Sequence, residues 1–332
     1  MKRIALILAK LFAVCAPLGL CAVLYLFSVG YFDPQPTIGY LHSPKELPYV
    51  DLDALEDYFS ENGVRFLLAD ESADYEPAAR ELIEQGAQVL IVSEDEDILD
   101  PALLHLARSH GIPLVVVGRS PQVQEMEDYD KLWYVGSSPA LGGELLGEEM
   151  AMGFRSGAIP DANGDLVLQY SLYLSDIGPY HQALSYYALQ ECEHYGVYSN
   201  LLEYLDENDD PLPFTAEGLT GQQKPELFLC TTADDARFLH DLAGQLGWLD
   251  GDAPVRIAAV AENPELAQAL VDEGIAIAAS YYDIDEITRV AGQLALNSLD
   301  KQFAGQGLEL QLDESGRFFI PFGLVTTLEE NQ

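Results

Sequence analysis

From residue 37 onward, short and nearly unbroken apolar runs alternate with stretches of helical periodicity. No other feature limits the fold as much. "TIGYL" (37–41), "VRFLLA" (64–69), "AQVLIVS" (87–93) and "IPLVVVG" (112–118) are almost wholly apolar. Strands of that kind are covered on both faces, as in parallel sheets. Between them, Leu55, Tyr58 and Phe59 share one face of a helix over 51–62, and "PAARELIEQG" (77–86) and "PALLHLARSHG" (101–111) are helices closed by glycine. Parallel neighbours need such crossovers, and the crossovers are right-handed.

The alternation then starts again. "DLVLQY" (165–170), "ELFLC" (226–230), "VRIAAVA" (255–261) and "IAIAAS" (275–280) are the strands. Helices are expected over 180–196, 234–248, 263–274 and 283–299, and the tail "RFFIPFGLVTT" (317–327) is extended. The expected fold is α/β: two doubly wound parallel-sheet lobes in one chain, preceded by a membrane segment. In such sheets ligands sit outside the carboxyl ends of the strands. Two facing lobes make a cleft with a hinge that can close.

The start of the chain is different. Residues 1–10 carry Lys2, Arg3 and Lys10, and residues 11–32, "LFAVCAPLGLCAVLYLFSVGYF", hold no charge at all. About 20 apolar residues span a bilayer. Basic residues stay on the cytoplasmic side, so the body is expected outside the cell membrane on a single anchor. A cleaved secretory signal would show a shorter apolar core and a small-residue site; "LGLC" ending at Cys21 loosely matches a lipoprotein site. "DPQP" (33–36) is a spacer.

Of the whole chain, 16 side chains are basic and 55 acidic, for a net charge of -39. Such a body repels nucleic acid and anionic lipid and attracts cations. There is no Gly-x-Ser-x-Gly elbow, zinc spacing or phosphate loop, and none of the six histidines is paired with a nucleophile, so no enzyme is expected. Cys192 and Cys230 match no metal spacing and are expected as small buried side chains.

"DANGDLVLQY" (161–170) places oxygen-bearing residues at alternating positions. Asp161, Asn163 and Asp165 would offer side-chain oxygens, Val167 its carbonyl, and Gln169 its amide oxygen. Calcium takes six to eight oxygens, so this spacing suits a structural Ca2+. Two features depart from a self-sufficient loop. Leu172 stands where a closing glutamate is needed, and Leu166 where glycine eases the turn. A polar Asx turn is the other reading. "DENDDPLPFTAE" (206–217) offers Asp206, Asn208, Asp210 and Glu217 at similar spacing, with Pro211 in place of the turn glycine.

"GIPLVVVGRSP" (111–121) followed by "YDKLWYVGSSPALGGELLGEEM" (129–150) resembles the type I periplasmic binding proteins of bacteria, and "YDKLWYVG" is most similar to their galactose- and glucose-binding branch. The resemblance runs over about 37–326. It implies a first lobe over 37–137 with 283–304, and a second over 138–281 with part of 305–332, joined by three crossings. It also implies Glu226 as the distant ligand that closes the calcium loop. The implied role is capture of a small molecule, such as a sugar, for a transporter permease or a membrane sensor.

Carrying the sugar-binding positions over one by one places Tyr49 at a stacking position. It also places Arg119, Tyr180, Thr232, Tyr282 and Asp283 in the cleft, with Ala261 or Glu262 at an aspartate position. Leu47, Gly118, Gly178 and Leu184 stand where the family has polar groups. Galactose and glucose are therefore expected to bind weakly or not at all. A ligand-sensing or interaction module that has lost sugar binding is the alternative.

Overall fold

The structure is a computed structural model that describes residues 35–42, 49–69, 74–94, 99–118, 120–175, 179–206, 223–300, 303–308 and 316–328. The basic and apolar start, Leu47, Arg119, Gly178 and the 207–217 part of the second acidic loop lie outside these residues. Among the described residues, no helix is long and apolar enough to cross a membrane.

The apolar runs form strands, as their continuity requires. In the first half these are β1 (Thr37–Leu41), β2 (Arg65–Leu68), β3 (Val89–Glu94), β4 (Leu114–Gly118) and β5 (Leu132–Gly136). Between them lie α1 (Leu52–Glu61), α2 (Tyr75–Glu84), α3 (Pro101–His110) and α4 (Val123–Asp128). Local chemistry sets the helix ends. Asp51 accepts the Ala54 N–H at 3.0 Å and starts α1, while Pro101 at the first turn and Gly111 in the left-handed region bound α3.

The second half holds α5 (Pro139–Ser156), β6 (Leu168–Leu174), α6 (Pro179–His194), β7 (Ser199–Asp206), β8 (Leu227–Cys230), α7 (Ala233–Gln245), β9 (Arg256–Ala261), α8 (Pro264–Asp272) and β10 (Ala278–Tyr281). Helix α9 (Ile284–Leu299) and strands β11 (Arg317–Phe319) and β12 (Gly323–Thr326) complete the chain.

The first sheet has the order β11-β5-β4-β3-β1-β2 and is parallel throughout. The second has the order β12-β10-β9-β8-β6-β7 and is parallel except for β12. Without the tail strands, both sheets have the same doubly wound order, 2-1-3-4-5 counted within each lobe. Two strands that apolar continuity does not mark complete this order. They are β5, inside the family-like stretch, and β7, an edge strand whose described side chains are half-buried or exposed.

The extended tail is split between the lobes: β11 joins β5, and β12 joins β10 antiparallel. Helix α9 packs on β3, β4 and β5 of the first sheet although it follows β10 of the second. The chain therefore crosses between lobes at 136–139, 281–284 and 319–323.

Each sheet is covered on both faces. Helices α2 and α3 cover the outer face of the first sheet, and α7 and α8 that of the second. On the inner faces a single hydrophobic cluster runs through both lobes, from Leu55 and Val290 to Leu146, Leu184 and Val260. Helices α5 and α6 approach closely because α5 carries glycine at the contact. A Cβ at Gly143 would lie 2.7 Å from Tyr187 Cβ, and one at Gly147 would run into the Ala188 carbonyl oxygen.

Candidate functional site

The loop before β6 folds through its own side chains. Asp161 accepts the N–H of Gly164 at 2.8 Å and of Leu166 at 3.1 Å. Asn163 Oδ1 accepts the Asp165 N–H at 3.0 Å, and Asp165 Oδ1 the Val167 N–H at 2.8 Å. Leu166 has φ 61 and is the sole non-glycine residue at positive φ among the described residues. The turn that normally needs glycine is thus made with leucine, whose side chain is 77% exposed.

Glu226 reaches both ends of this loop. Its Oε1 accepts the Ala162 N–H at 2.6 Å and its Oε2 the Gln169 N–H at 2.9 Å. Burial raises its pKa above 4.5; the two N–H bonds oppose the shift, and Asp161 and Asp165 add to it. Gln169 Nε2 donates to Asp165 Oδ2 at 3.1 Å and to the Val167 carbonyl at 3.2 Å. Its Oε1 accepts from Asn200 at 2.7 Å. All six residues expected to hold calcium thus meet in one place. Their carboxylates are turned onto backbone N–H groups, however. Among the described residues no three His, Cys, Asp or Glu side chains form a metal-holding group. The donor types fit calcium, and the carboxylates would have to rotate to share an ion.

The positions expected to bind ligand separate into three groups. Tyr49, Tyr180 and Tyr282 meet between the lobes, and all three are buried. Tyr180 stands edge-on to Tyr49 and to Tyr282, with ring centroids 6.0 and 6.1 Å away, and Tyr282 stands edge-on to Phe322. Burial, with Tyr282, Tyr134 and Tyr49 adding, holds the Tyr180 hydroxyl neutral well beyond the usual range. Leu184 is also core.

Thr232 and Glu262 meet elsewhere, in a cavity of about 340 Å³ at the carboxyl ends of β6, β8 and β9. Tyr173, Phe238, Asp234 and Asp235 also line it. Thr232 caps α7 by accepting the Asp235 N–H at 3.1 Å. Glu262 accepts the Ala233 N–H at 3.4 Å, and its Oε2 is buried with no partner among the described residues. Burial first, then Asp234 and Asp235, raise its pKa above 4.5. Asp283 caps α9 through the Glu286 N–H at 3.0 Å.

A further cavity, of about 290 Å³, lies beside the 136–139 crossing, and its lining includes Gly118, Ser120, Tyr134, Ser137, Ser138, Tyr180, Arg317 and Phe319. Of these, Tyr180 and Gly118 stand at positions carried over from the sugar-binding family. Arg317 and Phe319 belong to β11, whose docking on the first sheet no local pattern announces. Cys192 and Cys230 are buried free thiols, and burial pushes Cys192 up to about 12.

No protein-family model matches the chain. The D-galactose/methyl-galactoside binding periplasmic protein of Haemophilus influenzae is 24% identical over 122 residues, which span 36% of this chain and 37% of that protein. Among solved structures, an ABC-transporter periplasmic solute-binding protein of Actinobacillus succinogenes with bound D-allose superposes with a TM-score of 0.65. It is 16% identical, covering 88% of this chain and 98% of that one. A solute-binding protein of Bacillus halodurans with bound myo-inositol gives 0.62 at 16% identity, covering 88% and 94%. The XylFII–LytSN complex gives 0.62 at 16% identity, covering 88% and 98%. The two lobes of common strand order, the three crossings and these superpositions together place the chain in the type I periplasmic-binding-protein fold, and one stretch of it is similar to a galactose-binding periplasmic protein.

Proposed function

We propose that this protein is an extracytoplasmic solute-binding protein, held at the membrane by residues 11–32, that captures a small molecule between its lobes for a transporter permease. The observation that carries the reading is the pair of equivalent doubly wound lobes facing each other across three crossings, with a cavity of about 290 Å³ beside one crossing. The sequence relative in Haemophilus influenzae is a sugar-binding periplasmic protein, and the Actinobacillus and Bacillus structures hold D-allose and myo-inositol. The relatives named above are solute-binding proteins, which supports binding rather than catalysis as the role.

A second reading is favoured by the Tyr49–Tyr180–Tyr282 packing and by the hydrophobic cluster shared between the lobes. A cleft filled by its own side chains suits a module that signals to a membrane partner and has lost sugar binding. One of the superposed structures is a complex of a related fold with LytSN.

Calcium belongs to the same proposal. Asp161, Asn163, Asp165, the Val167 carbonyl, Gln169 and Glu226 would hold it, and it would tie the loop to β8. Amide nitrogen and oxygen are alike in outline. Turning Gln169 and Asn200 over together keeps their mutual bond and sets the Gln169 oxygen beside those of Asp165 and Val167.

The test is a thermal-shift screen of monosaccharides, polyols and organic acids on the full chain in detergent, followed by calorimetry on whatever raises the melting temperature. Saturable one-to-one binding supports solute capture. A flat screen, with a sensor-kinase or chemoreceptor fragment co-purifying instead, supports the second reading. Protease shaving of intact cells should degrade the body; protection until lysis would reverse the orientation.

A further inference from the structure

The cavity beside the 136–139 crossing is unlike the rest of the molecule. The chain carries 55 acidic against 16 basic side chains, yet among the described residues no acidic one lines this cavity. Its polar side chains are those of Ser120, Ser137, Ser138, Tyr134, Tyr180 and Arg317. Two of the contacts that hold Arg317 face this cavity: Nη1 donates to Ser120 Oγ at 3.4 Å, and the guanidinium lies 5.7 Å from the Phe319 ring centroid. The 18-residue helix α5 begins here, with Pro139 in its first turn and a Ser138 side chain that does not cap it. The end of a long helix with uncapped N–H groups favours an anion.

Ser137 supplies an independent sign. It is 2% exposed, and its Oγ is buried with no hydrogen-bond partner among the described residues. A buried hydroxyl in that state is destabilising unless a bound group completes it.

We infer that this cavity takes a small hydroxylated carboxylate, its oxyanion at the start of α5 against Ser137, Ser138 and Arg317, and its carbon skeleton against the rings of Tyr180 and Phe319. The volume of about 290 Å³ suits a solute of monosaccharide size. A neutral ring would meet the guanidinium and the helix end with no charge of its own. A carboxylate would make charge-assisted hydrogen bonds with both. This inference rests on the solute-binding reading above and names the solute class.

Calorimetry on the full chain in detergent tests it with D-galacturonate, D-galactose and glycerol 3-phosphate. D-Galacturonate should bind about tenfold tighter than D-galactose or better, as expected for a charge-assisted contact. The gap should narrow as salt rises. Arg317→Gln should remove the preference while leaving any D-galactose binding in place, and Arg317→Lys should keep part of it. Ser137→Ala should weaken D-galacturonate several-fold with the melting temperature of the free protein unchanged or raised. Equal affinity for D-galacturonate and D-galactose, or a preference that survives both Arg317→Gln and Ser137→Ala, overturns the inference and leaves solute binding standing. Tighter binding of glycerol 3-phosphate overturns the carboxylate assignment. If no solute shifts the melting temperature or gives heat, the inference and the solute-binding reading fall together.

Discussion

Tyr180 stands edge-on to Tyr49, with ring centroids 6.0 Å apart and planes at 74°, and so joins α6 of the second lobe to the segment before α1 of the first. An aromatic pair in this geometry contributes about 0.5–1.5 kcal/mol beyond the area it buries. The contact lies across the cleft, so it opposes opening as well as unfolding.

Tyr180→Ala should therefore do two things. It should lower stability by about 3–5 kcal/mol, as for other buried aromatic truncations. It should also raise the radius of gyration in small-angle scattering, because the lobes lose the ring that Tyr49 and Tyr282 both touch. Tyr180→Phe keeps the ring contacts and should cost about 1 kcal/mol. An unchanged scattering profile for Tyr180→Ala would show that the lobes are held by other contacts.

Chelation should lower the melting temperature, and added calcium should restore it. A ligand that binds only the folded state stabilises it by about 2.7 kcal/mol at 100 times its dissociation constant. Magnesium should restore it poorly, because it keeps a tight octahedral water shell. Glu226→Gln removes one charge and should abolish most of the response, whereas Asp210→Asn in the other acidic loop should leave it intact. The reverse pattern would move calcium to that other loop, and no response in any variant would make 161–170 a polar turn alone.

Leu166 holds a left-handed conformation with its side chain exposed. Glycine adopts that conformation freely, and a residue with a Cβ is strained there by about 1–2 kcal/mol. Leu166→Gly should raise unfolding stability by about 1 kcal/mol, less than the full strain because glycine is also freer in the unfolded chain. Equilibrium denaturation would read this directly. A loss of stability would mean that Leu166 packs against something when calcium is bound.

Glu262 carries the clearest pH signature. Its folded pKa is raised above 4.5 by burial, with Asp234 and Asp235 adding to the shift. The folded state therefore holds this proton more tightly than the unfolded chain does. The resulting stability is fully present below pH 4.5 and is lost as pH rises through the folded value. Glu262→Gln should flatten this slope and make the protein more stable than the native chain at pH 7 but not at pH 4. Melting curves across that range that stay parallel for the two proteins would refute the assignment.

Strand and helix order was legible because it rests on local chemistry. A strand covered on both faces needs a continuous apolar run, and β1, β3, β4, β8, β9 and β10 show one. Helix caps such as Asp51, Asp100 and Thr232 act within three residues of themselves. The oxygen-rich loop over 161–170 was visible for the same reason, since Asp161, Asn163 and Asp165 bond to backbone groups two to five residues away. Edge strand β7 was not visible, because a half-exposed strand need not be apolar throughout.

The sequence by itself determined two doubly wound lobes, a strongly acidic body and an oxygen-rich turn ahead of β6, since each follows from residue type and near-neighbour spacing. Only the tertiary structure decided what meets across the chain. It brought Glu226 onto Gln169, 57 residues away, and Arg317 onto Ser120, 197 residues away. It also set Tyr180 edge-on to both Tyr49 and Tyr282, and split the tail into β11 of one lobe and β12 of the other. Such contacts depend on how sheets twist and where crossings return. No short-range pattern of side chains encodes that, and the cavity that Ser137 and Arg317 share exists only once both lobes are in place.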